Sequence, residues 1–533
     1  MNPAIPQSEL PPSTRLLKVV FGDWFVTFSA GVALLAASPA QGAAKLAFEL
    51  TRGCLEPAFA RAERPTRIVA EVKNVGPAVA AVEVTLTLTA GVTNGSVGFN
   101  LTNWQKGEVT SLAWDVVAAA PTRGEARLMF RQGEKVLASL EFPVVWRDAV
   151  TQTRTDYVPA PATVDTGRYL VGAIHCPLWN RGVQWPAIVP YADREPALGW
   201  YDEGKPEVTD WEIKWALDHG ISFFMVCWYR AKDNVGKPVQ PALEHWLHEG
   251  LVQSRYGNQF KFAINFENGH PGYGGQISEK DLLENLLPFW IKNYFCKSNY
   301  LVLNGKPVLA IYDVARFVRD LGDEPHAAAV IAKMRAACQQ AGFKGLQLLG
   351  QYCWGSPAEL QSQAERIQRI GMDASWSYHW PTFTGAFGEQ LRPTGDQAIA
   401  AQEKLWTTLP PPNVLTLSMG WDSQPWSFAQ TQTQWRLPPE EFKSLCQRAK
   451  SVLDQRRTDG LASRLVLLDN WNEFGEGHYI FPTREHGFGY LDAIREVFAP
   501  NAPTHVDLVP QDLSRGPYDS EYRALAKRQN QPK

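Results

Sequence analysis

The chain has almost no net charge: 52 Lys and Arg stand against 55 Asp and Glu, a balance of -3 over 533 residues. Without a basic stripe there is no footprint for nucleic acid, and without a polybasic run none for an anionic membrane surface. Cysteine is sparse. The seven, at 54, 176, 227, 296, 338, 353 and 446, are odd in number and contain no CxxC pair, which argues against both a disulfide framework and a zinc ribbon. Buried thiols are the expectation, and no metal or cofactor is implied. HExxH, GxSxG, P-loop and GxGxxG stretches are all missing, which removes the motif-borne routes to metalloprotease, serine-hydrolase and nucleotide chemistry.

The longest apolar run near the start, Phe25 to Ala37, is about 13 residues, short of the roughly 20 of a membrane span. Arg15 and Lys18 precede it, and Ala40-Gln41-Gly42 places small residues where a signal peptidase reads. Residues 1–43 are therefore expected to be a signal peptide, with a periplasmic or secreted product and no stable membrane insertion after cleavage. A retained anchor is the alternative, because Asp23 and the long leader before Arg15 are untypical.

Tryptophan is abundant instead: 20 Trp beside 16 Tyr and 25 Phe. Indole faces suit the apolar side of a sugar ring, although a large core explains the composition equally well. From 44 to 150 the texture is short alternating segments such as "AAVEVTLTLTAGV" with turn signals at Lys73-Asn74, Asn94-Gly95 and Gln132-Gly133, the pattern of a small antiparallel, Ig-like β-sandwich. A Pro- and Thr-bearing linker spans 153–167. Beyond it, over 165–500, eight apolar strands alternate with amphipathic helices, several closed by Gly. The strands are expected at 169–175, 221–228, 260–266, 308–312, 346–351, 374–378, 414–419 and 464–471. Eight such units predict an α/β fold, a (β/α)8 TIM barrel, with an open doubly wound sheet as the alternative; residues 501–533 read as a C-terminal tail.

In such a barrel chemistry sits where strands end, and polar and aromatic residues recur there: His175 and Trp179, Trp228 and Tyr229, Glu267, Tyr352 and Trp354, Tyr378 and His379, Trp421 and Asp422, then Trp471, Asn472 and His478. Singly, each is more simply a structural residue. Together they outline a bowl of rings and hydrogen-bonding groups suited to an oligosaccharide or polysaccharide. After the last strand, "VLLDNWNEFGEGHYIFPT" carries Glu473 and Glu476 on a Gly-containing loop. Two carboxyls in one bowl can act as acid and as base or nucleophile at a glycosidic bond, and their proximity helps to split their pKa values. A pair of solvated loop glutamates is the plain alternative.

The segment "NWNEFGEGHYIFPTREHGFGYLDAIREVF", with "LGWYDEGKPEVTDWEIKWALDHGISFFMVCWY" and "YLVLNGKPVLAIYD", resembles the glycoside hydrolase family 99-like domain, bacterial relatives of endo-α-1,2-mannosidases often found with polysaccharide-biosynthesis loci. The resemblance covers roughly 165–500, and the Glu-x-x-Glu is its specific part. It departs from the usual pattern at Phe474, where Trp is common, and at Phe481, where Glu often precedes the Pro. It implies a secreted retaining hydrolase whose substrate's own 2-hydroxyl attacks through a 1,2-anhydro sugar, with Glu473 as the base and Glu476 as the general acid/base. Two other functions remain open: a non-catalytic carbohydrate-binding barrel, and a polysaccharide-biosynthesis glycosyltransferase, for which an Asp-x-Asp after a strand would be expected.

Overall fold

The computed structural model describes residues 48–89, 91–94, 98–352, 355–379, 393–426, 434–456 and 460–529. The expected signal peptide and Trp354 lie outside them.

Eight strands build the first layer: β1 Phe48–Glu56, β2 Thr66–Asn74, β3 Val79–Leu88, β4 Val92–Asn94, β5 Phe99–Trp104, β6 Val109–Ala118, β7 Thr122–Gln132 and β8 Lys135–Trp146. They form two four-stranded antiparallel sheets, β1-β2-β6-β4 and β5-β3-β7-β8. Alternation of period two puts every second residue of β6 and β7 inward. Phe48, Trp104 and Phe130 stack between the sheets, with Phe48 and Trp104 centroids 4.9 Å apart.

The second layer is a closed parallel barrel. Its strands are β9 Leu170–His175, β10 Phe223–Arg230, β11 Lys261–Phe266, β12 Lys306–Ile311, β13 Gln347–Gln351, β14 Ala374–Trp376, β15 Leu415–Ser418 and β16 Leu465–Asp469. All eight expected strands are present. Seven neighbouring pairs are regular parallel ladders, in the order β14-β13-β12-β11-β10-β9-β16-β15. The eighth junction, β14 with β15, is one bridge between Ser375 and Asn413, supported by Ser375 N donating to Pro412 O and Val414 N donating to Ser375 O at 3.0 and 2.8 Å. Strands buried on both faces read as unbroken apolar runs, which is why these segments stood out.

Helices cover the barrel: α1 Pro206–Asp218, α2 Val314–Leu321, α3 Glu324–Gln340, α4 Pro357–Arg369, α5 Gly395–Thr408, α6 Pro439–Gln455 and α7 Gly489–Phe498. Local chemistry starts several of them. Asp323 accepts from His326 N at 2.8 Å, and Ser356/Glu359 and Thr394/Gln397 form reciprocal capping boxes. Among the described residues, no helix is long and apolar enough to cross a membrane.

The tail beyond 500 is not loose chain. It runs back along the barrel and ends in α8 Ser520–Gln529, with the Tyr518 hydroxyl accepting from Trp211 Nε1 at 3.0 Å. On the way, Asp512, 1% exposed, accepts from Arg61 at 2.6 Å and from Arg64 at 2.8 Å, so one carboxylate fastens the sandwich to the barrel's C-terminal segment. Removing one partner of a buried ion pair typically costs about 3–5 kcal/mol because the other charge is stranded. Asp512→Ala is expected to lower the melting temperature clearly in a thermal scan, whereas Asp115→Ala, which removes an exposed partner of Arg67, leaves it within about a degree or two.

Candidate active site

Barrel strand β16 ends at Asp469, and the chain then folds a small antiparallel pairing, Asn472 with Tyr479 and Glu473 with His478. Trp471 N donates to Ile174 O at 2.6 Å, tying the loop to the neighbouring strand β9. The two glycines have separate reasons. At Gly475 a Cβ would lie 2.0 Å from the Trp426 indole, and Gly477 sits at φ +73°, with a Cβ position 2.7 Å from Asp422 O. The apolar departures at Phe474 and Phe481 anchor the loop from behind: both are fully buried, Phe474 edge-on to Trp179 and Phe481 stacked on Tyr201 with centroids 5.4 Å apart.

This loop holds Glu473 under the mouth and Glu476 at it. Glu473 is 3% exposed, and its Oε1 accepts from Trp426 Nε1 at 3.4 Å. Burial, and then the neighbouring charge of Glu476, push its pKa up to about 8, against the lowering pull of His478. Glu476 is a quarter exposed, and its Oε2 lies 2.9 Å from His478 Nε2. His478 Nδ1 in turn bonds Asp469 Oδ1. Burial would lower the His478 pKa, but Asp469 and Glu476 outweigh it and lift it to about 10, so at neutral pH an imidazolium faces Glu476. Asp469 is itself held at about 2: burial opposes ionisation, and His478 and His379 overcome it. His379 Nδ1 is 2.7 Å from Asp469 Oδ2, and Ser418 Oγ donates to that same oxygen. The ligand atoms of His379, Asp469 and His478 lie within 4.8 Å of one another. Each imidazole Nδ1 is spent on an Asp469 oxygen; His478 is its ion-pair partner, while burial lowers the pKa of His379 and leaves it a neutral hydrogen-bonding neighbour.

The expected site residues divide into two sets. Tyr378, His379, Trp421 and His478 meet Glu476 at the mouth: the Tyr378 ring lies edge-on to His478 at 5.5 Å, and Trp421 packs on both His379 and His478. Asp422 secures the loop, accepting from Arg194 Nη2 at 2.6 Å and donating its N–H to Glu476 O at 2.7 Å. Glu267 is across the mouth with Tyr229 and Tyr273 beside it. It takes backbone N–H bonds from Gly269 and His270 at 3.0 Å, and burial raises it to about 7 in spite of them. It lines a depression of about 550 Å³ together with Tyr312 and His270.

The second set faces away from the mouth. Trp228 is 2% exposed between barrel and helices, its Nε1 donating to Tyr294 Oη at 2.8 Å. Tyr352 is buried with its hydroxyl on Ser375. His175, Trp179, Trp471 and Asn472 belong to a buried network behind the loop: Asn472 Nδ2 donates to Glu203 Oε1 at 2.7 Å, Trp471 Nε1 to Glu212 Oε1 at 3.1 Å, and Trp179 Nε1 to Asn472 O at 2.9 Å, with His175 Nε2 3.6 Å from Glu212. These six support the site and do not line it. The reason is strand alternation: Cys176, Cys227 and Asn265 point inward and meet near the axis, Cys176 Sγ 3.7 Å from Cys227 Sγ and 3.1 Å from Tyr378 Oη, so their neighbours His175 and Trp228 point out.

Trp426, Tyr312, Asp469, Arg194, Glu203 and Glu212 escaped the sequence reading. Asp469, the last residue of an apolar strand, and Trp426, in "WDSQPWSF", carried a visible signal; the others are separated from the loop by more than a hundred residues.

Residues 190–494, more than half of the chain, match the family model described as Glycosyltransferase WbsX. The chain belongs to this family, which is related to the family 99 glycoside hydrolases that its sequence resembles. Solved structures to which it is similar include the GH99 endo-α-mannosidase from Bacteroides thetaiotaomicron in complex with bis-tris-propane, at 15% identity over 64% of this chain and 98% of that one, TM-score 0.44. A second structure of that enzyme gives 16%, the same coverages and 0.43. A Bacteroides ovatus GH5 xyloglucanase with a bound heptasaccharide gives 9% identity over 85% of this chain and all of that one, TM-score 0.30. No curated protein matches.

The coupling of the two glutamates has a measurable sign. Removing the Glu476 charge in Glu476→Gln is expected to lower the Glu473 pKa from about 8, read by carboxyl NMR titration against Glu473→Gln. Because the folded pKa of Glu473 lies above its unfolded value, its stabilising contribution is complete below the unfolded value and is lost as pH rises through about 8. Glu473→Gln should therefore melt higher than the parent at pH 9, by a margin that shrinks towards pH 5.

Proposed function

We propose that this protein is a carbohydrate-active enzyme that cleaves an α-linked glycan at the barrel mouth with retention of configuration, using Glu473 and Glu476. The observation that supports it is the pair itself: a buried carboxyl with raised proton affinity lies under a more exposed one that faces an imidazolium. In the mechanism implied by the family 99-like resemblance, Glu473 takes the proton of the substrate's 2-hydroxyl. That oxygen attacks C1 and forms a 1,2-anhydro sugar as the bond to the leaving oxygen breaks, and Glu476 gives the leaving oxygen its proton. Glu476 then takes a proton from the water that attacks C1, the C1–O2 bond of the anhydro ring breaks, and the 2-oxygen recovers its proton from Glu473.

A carboxylate made more basic by burial is better matched to a hydroxyl than a solvated one. The His478 imidazolium, held by Asp469, stabilises the anion that Glu476 becomes on delivering its proton. Trp421, Trp426 and Tyr378 supply rings for the apolar faces of the sugars.

The description of the family as a glycosyltransferase favours a second reading, in which a sugar hydroxyl replaces water in the second step. Incubation with α-linked mannans and bacterial glycans, with and without acceptor sugars and nucleotide sugars, separates the two. Hydrolysis gives free reducing ends and transfer gives elongated products, whereas release of a nucleoside diphosphate without glycan cleavage overturns the two-glutamate reading.

Glu473→Gln should lower kcat/KM by about 10²–10⁴-fold on natural and aryl glycosides alike. Glu476→Gln should lose a similar factor on natural glycosides and much less on aryl glycosides, whose leaving groups scarcely need protonation. As the base must be ionised, kcat/KM should rise with pH towards about 8. Unchanged turnover in either variant, with its melting curve intact, removes that residue from the mechanism.

We also propose export to the periplasm or beyond, supported by the charged flank, the short apolar run and Ala40-Gln41-Gly42. Mass spectrometry should find an amino terminus near Ala43; intact Met1 on cytoplasmic protein contradicts it.

A further inference from the structure

At the end of the barrel opposite the mouth, the C-terminal segment brings His505 and Asp507 beside His219, the residue that follows α1 and precedes β10. His219 is fully buried. Its Nδ1 lies 2.6 Å from Trp215 O, so that nitrogen donates its hydrogen to the carbonyl and Nε2 is left to face the carboxylates. This Nε2 is 3.2 Å from Asp507 Oδ1, and His505 Nε2 is 3.0 Å from the same oxygen.

By distance both approaches are ion pairs, yet neither His219 Nε2 nor Asp507 Oδ1 has a well-aligned hydrogen bond. A shared metal ion gathers polar atoms close together without aiming them at one another. A tetrahedral zinc with bonds of about 2.0–2.1 Å spaces its ligand atoms by roughly 3.3 Å, and the separations of 3.2 and 3.0 Å are of that size. Asp492 Oδ1, on α7, is 3.6 Å from His219 Nε2 and nearly half exposed, a neighbour of the cluster outside the group of three whose ligand atoms converge. Asp218, 3.8 Å from His505 Nε2, is already held by Lys214 at 2.7 Å.

We infer that His219, His505 and Asp507 form a divalent-metal site, of a chemistry that suits Zn²⁺, that pins the C-terminal segment to the underside of the barrel. Two imidazole nitrogens with a carboxylate oxygen make a donor set suited to zinc, and the site's place at the end of the barrel away from Glu473 and Glu476 gives it the role of holding the C-terminal segment. The segment it fixes is the one that reaches the sandwich: Leu508 O accepts from Trp215 Nε1 at 2.9 Å, and Asp512 follows with its two arginines.

The test uses the full chain without a tag, produced with added zinc and dialysed. One zinc per chain by mass spectrometry is expected, with a melting temperature that falls in EDTA and recovers with zinc. Cobalt(II) in place of zinc should give the intense visible bands of a tetrahedral site. His505→Asn, a change at a partly exposed position, should abolish the cobalt bands and the EDTA response while the circular dichroism spectrum stays that of the parent. Metal at background level, together with a melting temperature indifferent to EDTA and zinc, overturns the inference and leaves an ion-pair cluster; so does retention of the cobalt spectrum in both His505→Asn and His219→Gln.

Discussion

The arrangement of the mouth depends on one unfavourable act, the burial of the Glu473 carboxyl at the end of a core strand. A carboxylate taken out of water costs several kcal/mol or else keeps its proton, and Glu473 takes the second course, with its pKa near 8. Such a group persists only where the surroundings over-determine its position. Here Trp426 reaches its Oε1, Gly475 leaves room for that indole, and Phe474 and Phe481 lock the loop from beneath. The second carboxyl is then placed by different means. Asp469 fixes His478, His478 meets Glu476, and Arg194 with Asp422 pins the backbone between them. The two acids three residues apart thus sit in unlike environments, one dry and one beside a cation, and that difference is what allows two roles from one residue type.

The same division runs through the barrel. On the mouth side, Glu476 and Asp422 keep about a quarter of their side chains exposed, above the buried Glu473, His379 and His478. Behind the loop, Glu203, Glu212, His175 and Asn472 form a buried network, with Asn472 between Glu203 and His175 and His175 Nε2 near Glu212. Burial raises Glu203 far above the usual carboxylate range, so it is a hydrogen-bonding strut within the protein. Beneath the barrel the C-terminal segment and Asp512 join the two layers, which explains how a sandwich without carboxylates at the mouth is nonetheless part of the whole.

The fold was legible because its signals are local. Each barrel strand is a largely apolar run of three to eight residues buried on both faces, and the sandwich strands alternate as half-buried strands must. The two glutamates were legible for the same reason, standing where an apolar run stops. The walls of the site were less so, and Trp228 and Tyr229 show why. Adjacent residues of a strand point to opposite sides, so only one of the two can face the mouth; Cys227 and Tyr229 turn in and Trp228 turns out against Tyr294. His175 and Cys176 repeat the case on the first barrel strand. Period-two phase decides such placements, and it can be read only once the inward set is known. Tyr312 and Arg194 carry no local signal at all, since their meaning comes from a loop more than a hundred residues away.

The central claim is that Glu473 and Glu476 are paired for cleavage of an α-glycosidic bond through the substrate's own 2-hydroxyl. Its most direct measurement is the anomer first released from an α-linked mannan oligosaccharide, followed by proton NMR before mutarotation, beside the matching 2-deoxy substrate. The account predicts the α-anomer first from the parent sugar and no turnover of the 2-deoxy analogue. Initial release of the β-anomer, or equal cleavage of the 2-deoxy substrate, would contradict it.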